Sequence, residues 1–188
     1  MLTPAMFFYL RHGETHWNRA HRAQGRADVP LNGNGRDQAL RACHLVSGLE
    51  IATICVSPLK RAMETAVLIQ ASLGCHMEVL DELAECCWGE REGQAKGQWI
   101  EDWKAGHSSP DGAEPYEHFL ERASRGINKA LEQPGPVLIV SHGGVYWSVQ
   151  KHAALGSEFD IPNAVPIRHD PPRPEYPWWT VTVLETAD

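Results

Sequence analysis

Two histidines and two arginines stand at or shortly after the ends of apolar runs in this chain: Arg11, His12, Arg61 and His142. Continuous apolar runs are typical of strands that are buried on both faces, and ligands of open α/β sheets bind where parallel strands end. We therefore predict that the four side chains meet at one edge of a sheet. Gly13, directly after His12, is expected to let the backbone turn sharply and approach a phosphate closely.

These residue types suit phosphoryl transfer from a phosphate monoester. The reaction needs a nucleophile, cationic donors for the phosphoryl oxygens and an acid for the leaving oxygen. His12 is the candidate nucleophile, because a neutral imidazole nitrogen attacks phosphorus and a phosphohistidine divides hydrolysis into two easier steps. Arg11 and Arg61 offer planar, permanently charged forks that match phosphate oxygens. His142 is predicted to donate to a phosphoryl oxygen.

Two predicted helix starts lie beside these residues. Ser57 is a candidate N-cap and Pro58 a candidate first helical residue. They would put Arg61 in the first turn, where free N–H groups and the helix dipole favour an anion. Gly143 and Gly144 are expected to leave backbone N–H groups accessible at the second start, and Gly143 is predicted to contact phosphate.

With these residues in this order, the chain resembles the histidine phosphatase superfamily, the phosphoglycerate mutase-like enzymes. The signature of that family joins an Arg-His-Gly strand end to a second arginine and a second histidine. Further matches follow in the same order: Asn18, Gln24, residues 28–31 with Gly35, and residues 83–85 with Gly89. The resemblance covers nearly the whole chain and implies an α/β fold, a three-layer sandwich with a mostly parallel central sheet and helices on both faces.

The resemblance also implies roles for the remaining site residues. Asn18 and Gln24 are implied to bind phosphate or substrate, and Glu85 is implied to be the acid. The surroundings of Glu85 do not decide the choice, because four other acidic side chains lie near it: Asp81, Glu82, Glu90 and Glu92. Apolar neighbours of Glu85 would favour its protonated, proton-donating form, and Glu82 is the next candidate.

The predicted activity is hydrolysis of small-molecule phosphate monoesters through a phosphohistidine on His12, with no cofactor and no metal. A small phosphorylated metabolite is the expected substrate, and inorganic phosphate or vanadate is expected in the same site. Two alternatives stay open: a cofactor-dependent phosphoglycerate mutase, and a catalytically idle phosphate-binding regulator. The family's mutases are associated with a longer basic insertion than positions 90–141 and tend to have His-Gly-Asn where this chain has His-Gly-Gly, which favours hydrolysis.

Composition limits the classes of partner. With 188 residues and 43% hydrophobic content the chain is long enough for one packed core, and we predict a single domain over residues 1–188. A formal net charge of -7 argues against a nucleic-acid or anionic-membrane surface. The five cysteines form no Cys-x-x-Cys pair, and no secretory segment is recognised, which predicts reduced thiols and a cytoplasmic location. The sequence does not indicate an oligomeric state.

The elements that must position the site alternate between strands and helices. Strands are predicted over residues 6–10, 53–56, 77–80, 137–140 and 178–184. Helices are predicted over residues 35–49, 59–73, 115–131 and 145–155. The proline-rich stretch 162–177 is predicted to be an ordered surface loop.

Several residues have no predicted role or a structural one. Trp99 and Trp103 stand one helical turn apart, which favours core packing over a substrate platform. Members of the family often carry an arginine shortly after the His-Gly-Gly segment, where this chain has Trp147. Three basic side chains of the proline-rich stretch match no family position: Arg168, His169 and Arg173.

Overall fold

The computed structural model describes residues 1–155 and 160–184. Within them the chain forms a six-stranded sheet in the order β3-β2-β4-β1-β5-β6. The strands are β1 Phe7–Arg11, β2 Thr53–Val56, β3 His76–Val79, β4 Val137–Ser141, β5 Ile167–Asp170 and β6 Thr180–Val183. The first four strands are parallel, whereas β5 pairs antiparallel with β1 and β6 pairs antiparallel with β5. The predicted α/β class with a mostly parallel sheet is confirmed.

Helices cover both faces of the sheet. They are α1 His16–Arg19, α2 Gly33–Val46, α3 Lys60–Leu73, α4 Trp99–Lys104, α5 Tyr116–Leu131 and α6 Gly143–His152. Successive residues of β1 point to opposite faces, as a strand requires. Phe7 and Tyr9 therefore pack with residues of α5 and α6, and Phe8 and Leu10 pack with residues of α2 and α3. The predicted three-layer sandwich is confirmed.

The apolar runs of β1, β2 and β4 are explained by this layering. The four residues of β2 and the five of β4 are all buried, because these strands lie inside the sheet with helices on each side. A strand that is covered on both faces has no solvent side for polar residues, so its sequence is continuously apolar. Each buried aliphatic side chain contributes roughly 1.5–3 kcal/mol to folding.

One predicted loop contains a strand. β5, Ile167–Asp170, lies inside the proline-rich stretch that we predicted to be a loop, so that prediction is wrong for these four residues. The strand alternates buried and half-buried residues, and its four positions carry the mixed residues Ile-Arg-His-Asp. β5 pairs with β1 on one side and with β6 on the other. Four residues with two charges give too weak a pattern to recognise a strand.

The start of α3 also differs from the prediction. The helix begins at Lys60, and the N-cap is Leu59, which makes no side-chain cap hydrogen bond. Ser57 is therefore not the N-cap, and Pro58 is not the first helical residue. Arg61 still lies in the first turn of α3, as predicted.

Two further features bear on function. In the described part of the chain, no helix is long and apolar enough to cross a membrane. All five cysteines are free thiols. The single-domain organisation and the cellular location stay predictions.

Candidate active site

The carboxyl ends of three neighbouring parallel strands meet at one edge of the sheet. Arg11 at the end of β1 lies in register with Ser141 at the end of β4. Val56, the last residue of β2, lies in register with Val140 of β4. The residues that follow these ends are therefore brought together. The ring centroids of His12 and His142 lie 5.2 Å apart, and Nε of Arg61 donates a hydrogen bond to Nε2 of His12. The predicted meeting of Arg11, His12, Arg61 and His142 is confirmed.

His12 is buried and held in one orientation. Its Nδ1 lies 2.7 Å from the carbonyl oxygen of Gly13, and that contact is a hydrogen bond only when Nδ1 carries the proton. Nε2 then has a free electron pair and accepts a hydrogen bond from Nε of Arg61 at 3.2 Å. Burial, followed by the charges of Arg61 and Arg11, lowers the pKa of His12 well below its usual value. The ring is therefore neutral at physiological pH, as a nitrogen nucleophile requires.

Arg61 is almost completely buried, at 1% exposure. Its guanidinium donates to the carbonyl oxygens of Gly25 at 2.8 Å and Ala27 at 2.9 Å, in addition to His12. Burial lowers the pKa of Arg61 to about 10, although the negative charges of Glu85 and Asp28 act in the opposite direction. The side chain therefore keeps its positive charge at neutral pH in a fixed position.

Arg11 supplies the second cation. One terminal nitrogen of its guanidinium donates to the carbonyl oxygen of Ile161 at 3.0 Å and lies 3.7 Å from the carboxylate of Asp160. The Nε of Arg11 is buried and has no hydrogen-bond partner among the described residues. A buried donor without a partner is costly, so Arg11 is suited to receive an oxygen of a bound anion. Gly143 lies directly beside this guanidinium.

His142 lies completely buried behind His12. Its Nε2 lies 2.7 Å from the hydroxyl oxygen of Ser57, and its Nδ1 has no partner among the residues that the structure describes. Burial, followed by the charge of Arg61, lowers the pKa of His142 well below its usual value. Its carbonyl accepts a 2.8 Å hydrogen bond from the hydroxyl of Tyr9. The contact with His142 gives Ser57 a place in the site, although it does not cap α3.

Glu85 faces the same cleft from the loop after β3. One carboxylate oxygen accepts the backbone N–H of Cys86 and the other accepts the backbone N–H of Gly144, each at 3.0 Å. The prediction that Gly144 leaves its N–H accessible is therefore wrong, because that donor is used by Glu85. A Cβ atom at position 144 would lie 2.2 Å from the Glu85 carboxylate, so only glycine allows this close approach.

The loop that carries Glu85 is braced by Arg122 of α5. This guanidinium forms a bidentate pair with Glu114, both contacts measuring 2.8 Å, and donates to the carbonyl oxygens of Glu82 and Ala84. Glu82, the alternative acid, pairs instead with Lys129 on the surface of α5. Glu85 borders the cleft and Glu82 does not, and the acid role of Glu85 stays a prediction.

Asn18 and Gln24 also border the cleft. The side-chain oxygen of Asn18 accepts the backbone N–H of Thr15, and the Thr15 side chain in turn caps the short helix α1. The side-chain oxygen of Gln24 accepts the hydroxyl of Thr15 at 3.0 Å. Both amide oxygens are thus used within the protein, and their amide nitrogens are the groups suited to an anion.

A sequence model described as histidine phosphatase superfamily (branch 1) matches residues 7–169. The chain belongs to this superfamily. The phosphatase PhoE of Bacillus subtilis, named as uncharacterized, is 34% identical over 141 residues, which are 71% of this chain and 69% of PhoE. Phosphoglycerate mutase-like protein 4 of Arabidopsis thaliana is 34% identical over 159 residues, which are 77% of this chain and 69% of that protein.

The fold is also similar to that of a solved structure. The alpha-ribazole phosphatase of Shigella flexneri is 24% identical, and the match covers 97% of this chain and 96% of that chain with a TM-score of 0.81. At this identity the similarity establishes the shared fold. Hydrolase and mutase names both occur among the relatives, so superfamily membership does not by itself select between the two reactions.

Gly13 of the superfamily's Arg-His-Gly signature has a structural reason that sequence patterns did not indicate. A Cβ atom at position 13 would lie 2.3 Å from the carbonyl oxygen of Gly35, and one at position 35 would lie 2.1 Å from the carbonyl oxygen of Glu14. The two glycines thus let the start of α2 pack directly on the loop after β1. We predicted that Gly13 permits close approach to a phosphate, but the close approach that the structure contains is between two backbone segments.

The cleft contains further residues that the sequence patterns did not place there. The cavity of the cleft is small, with a volume of about 90 Å³. Eight missed residues border it: Arg22, Ala23, Gly25, Trp88, Lys96, Ile100, Trp147 and Asp160. Only the departure of Trp147 from the superfamily pattern signalled one of them. Desolvation of the amine, followed by repulsion from Arg11, lowers the pKa of Lys96.

The other residues singled out in the sequence lie elsewhere. Trp103 is buried in the core and donates to the carbonyl oxygen of Glu114, which confirms its predicted core role. Arg168 forms a bidentate pair with Asp170 at 2.8 Å, and Arg173 lies near the same carboxylate. His169 stacks on Phe7 inside the core. Over the described ranges, no three side chains of histidine, cysteine, aspartate or glutamate gather in a metal-binding cluster.

Proposed function

We propose that the chain hydrolyses small-molecule phosphate monoesters through a phosphohistidine on Nε2 of His12. One observation carries the proposal: His12 is neutral, its Nδ1 proton is held by the Gly13 carbonyl, and its Nε2 electron pair is presented beside Arg61. An imidazole in this state is ready to attack without first losing a proton.

In the first step, Nε2 of His12 forms a bond to phosphorus while the bond from phosphorus to the ester oxygen breaks. The guanidinium groups of Arg11 and Arg61 balance the charge on the phosphoryl oxygens, and Asn18 and Gly143 add neutral donors. A proton from the Glu85 carboxyl neutralises the leaving oxygen. The Nδ1 proton of His12 stays hydrogen-bonded to the Gly13 carbonyl throughout.

In the second step, a water molecule attacks phosphorus on the side that the leaving alcohol vacated. Glu85, now a carboxylate, accepts a proton from this water, and the bond between Nε2 and phosphorus breaks. Inorganic phosphate leaves, and His12 is again neutral with a free electron pair. Because Glu85 regains its proton in this step, one carboxyl group serves both halves of the reaction.

His142 is proposed to stabilise the phosphoryl group by donating a hydrogen bond to one of its oxygens. Its Nε2 contacts Ser57, and when the Ser57 hydroxyl donates in this bond the proton of the imidazole sits on Nδ1. That nitrogen has no partner among the described residues. Donation from Nδ1 to a phosphoryl oxygen would satisfy it, and inorganic phosphate or vanadate would occupy the same position as the transferred group.

A phosphoglycerate mutase is the second candidate, because mutase names occur among the relatives. A mutase must retain a bisphosphorylated intermediate while it reorients. Several cations of positions 90–141 are engaged elsewhere: Lys104 lies over Trp147, Arg122 pairs with Glu114, and Lys129 pairs with Glu82. Among the lysines and arginines of positions 90–141, Lys96 is the one that borders the cleft. This distribution supports hydrolysis over retention of a second phosphate.

One assay separates the two reactions. Purified protein is given 3-phosphoglycerate with and without 2,3-bisphosphoglycerate, and free phosphate and 2-phosphoglycerate are measured together. We expect free phosphate to be the main product under both conditions. Formation of 2-phosphoglycerate much faster than free phosphate would overturn the hydrolase proposal.

The intermediate is tested by rapid quenching with a labelled phosphate ester. We expect label on His12 that is lost in acid and retained in base, as expected of a phosphoramidate. His12→Gln is the matched control and should carry no label. Label on another residue, or turnover in which no labelled protein forms, would contradict the proposed nucleophile.

A further inference from the structure

The cleft continues from the reacting groups to an apolar wall. Trp88, Ile100 and Trp147 border the same space as Arg11, His12 and Glu85. They come from three separate parts of the chain: the loop after Glu85, helix α4 and helix α6. In the proposed reaction Glu85 gives its proton to the leaving oxygen, and the group attached to that oxygen would extend from there into the cleft that these three residues and the charged side chains of Arg22 and Lys96 border.

Trp88 is held rigidly by other aromatic rings. Its ring lies 5.2 Å from that of Trp99 and 4.6 Å from that of Trp103, in edge-to-face arrangements. Trp88 itself is only 5% exposed. Edge-to-face pairs of this kind stabilise a fixed ring orientation. The Trp88 part of the wall is therefore in place before any substrate binds, which lowers the ordering cost that this side chain adds to binding.

Trp147 borders both the catalytic cleft and a second hollow on the surface. Its ring centroid lies 6.4 Å from that of Trp88, and Nζ of Lys104 lies 4.1 Å from the Trp147 centroid in a cation–π contact. Lys104 and Trp147 together border a second hollow on the surface, but Lys104 does not border the catalytic cleft. Lys104 thus contacts the indole beside the second hollow, and Trp147 borders the catalytic cleft as well.

We propose that this wall, formed by Trp88, Ile100 and Trp147, is the subsite for the leaving group and selects phosphate esters of planar apolar alcohols, such as aryl or arylmethyl phosphates. The inference rests on the proposed hydrolysis and names its substrate class. A polyhydroxylated leaving group would lose its hydration against two indoles and an isoleucine without gaining hydrogen bonds there. A planar apolar group stacks on an indole and buries apolar surface on both partners.

The experiment compares two esters that differ in planarity and have similar leaving groups. Benzyl phosphate and cyclohexylmethyl phosphate both release primary alcohols, so the acid step is nearly the same for each, and the rings are of similar size. We expect kcat/KM for benzyl phosphate to be about five- to tenfold higher, the range that an aromatic contact supports.

Two substitutions at position 147 separate planarity from bulk. Trp147→Phe keeps a flat ring and should keep the benzyl preference within about twofold. Trp147→Leu keeps apolar bulk without a plane and should bring the ratio of the two kcat/KM values close to one. Trp178→Leu is the matched control, because Trp178 is 59% exposed and lies outside the cleft, and it should leave the ratio unchanged.

A ratio near one in the unchanged protein would overturn the proposal, as would a benzyl preference that survives in Trp147→Leu. Binding of benzylphosphonate and cyclohexylmethylphosphonate, followed by tryptophan fluorescence, tests the subsite without any hydrolysis. Release of phosphate from both esters at equal rates would reject the subsite and keep the hydrolase. Selective binding of benzylphosphonate with no phosphate released from any ester would reject the hydrolase and keep the subsite.

Discussion

The cleft around His12 and the core around His169 both contain buried histidines whose pKa values are lowered, yet only His12 borders an open cleft. Burial is the main cause at each position. His12 adds two nearby arginines and an open cleft. His169 stacks on Phe7 at 4.5 Å and contacts the hydroxyl of Tyr146, inside the aromatic core. The difference teaches that a histidine with a lowered pKa indicates a reactive site only when charged partners and space for a ligand accompany it.

The largest contrast is expected between substitutions of these two histidines. His12→Gln removes the nucleophile and should lower kcat for p-nitrophenyl phosphate by at least about 10⁴-fold. His169→Phe replaces one buried ring by another and should leave kcat within about threefold. Steady-state assays with circular dichroism on both variants make the measurement. Activity of folded His12→Gln near that of the unchanged protein would remove His12 from the reaction.

The next largest contrast is expected between substitutions of Arg61, beside His12, and Arg168, beside His169. Arg61→Lys loses the planar fork that contacts Gly25, Ala27 and His12, and we expect kcat/KM to fall about 10²- to 10³-fold. Arg168→Lys disturbs only the half-exposed pair with Asp170, and should change kcat/KM less than twofold. Equal losses in the two variants would contradict the proposed role of the Arg61 guanidinium in the site.

Glu85→Gln should reveal the acid by its dependence on the leaving group. We expect kcat/KM, which reports the first step alone, to fall about 10²-fold for an alkyl phosphate and less than tenfold for p-nitrophenyl phosphate, because nitrophenolate leaves without a proton. Glu90→Gln on the exposed neighbouring turn is the control and should show neither loss. If the two esters lost activity equally in Glu85→Gln, the proton would have to come from another group.

Acid should destabilise the core through His169. Burial lowers the pKa of this side chain to about 4, whereas an unfolded chain binds the proton near pH 6.5. The unfolded state is therefore favoured as pH falls from 6.5 toward 4, by roughly 2 kcal/mol at pH 5. His169→Leu should lose about that much less stability than the unchanged protein between pH 7.5 and 5.0, measured by urea denaturation. His107→Leu, at an exposed position, is the control. If His169→Leu lost as much unfolding free energy between pH 7.5 and 5.0 as the unchanged protein, His169 would not be the source of the acid sensitivity.

The smallest effect is expected from removal of metal ions. The positive charge of the proposed mechanism comes from Arg11 and Arg61, so EDTA followed by desalting should leave kcat unchanged within error. Addition of Mg²⁺ or Zn²⁺ afterwards should not raise it. Recovery of activity only with an added metal would contradict the proposed source of charge.

Much of the site was predictable because strand ends are local features of a sequence. The apolar runs before His12 and His142 indicate buried parallel strands, and parallel strands deliver their following residues to one edge. Glu85 was harder to recognise from strand ends, since its role depended on the family's spacing and its neighbours include other acids. The structure adds the reason for its position: Arg122 and the N–H of Gly144 hold that loop against the cleft.

The missed features depend on contacts between distant residues. Trp88, Ile100 and Trp147 enclose one wall only after three separate segments have packed together. Ser57 carries the residue type of a helix cap, but the N-cap is Leu59, and the Ser57 hydroxyl contacts the imidazole of His142 in addition to the backbone N–H of Leu59. β5 is four residues long and takes its pairing from β1 and β6. Tertiary contacts decide all three cases, and local patterns do not encode them.

The backbone contact between Gly13 and Gly35 has a consequence for how this protein can change under selection. Any side chain at either position would collide with main-chain atoms of the other segment, so a mutant library would retain only glycine at both among its folded members. Ile100 and Trp147 are half-buried at the open cleft, and substitutions there have room to be accommodated. Diversity at positions 100 and 147, with invariance at 13 and 35, would allow the range of accepted esters to drift while the nucleophile stays in place.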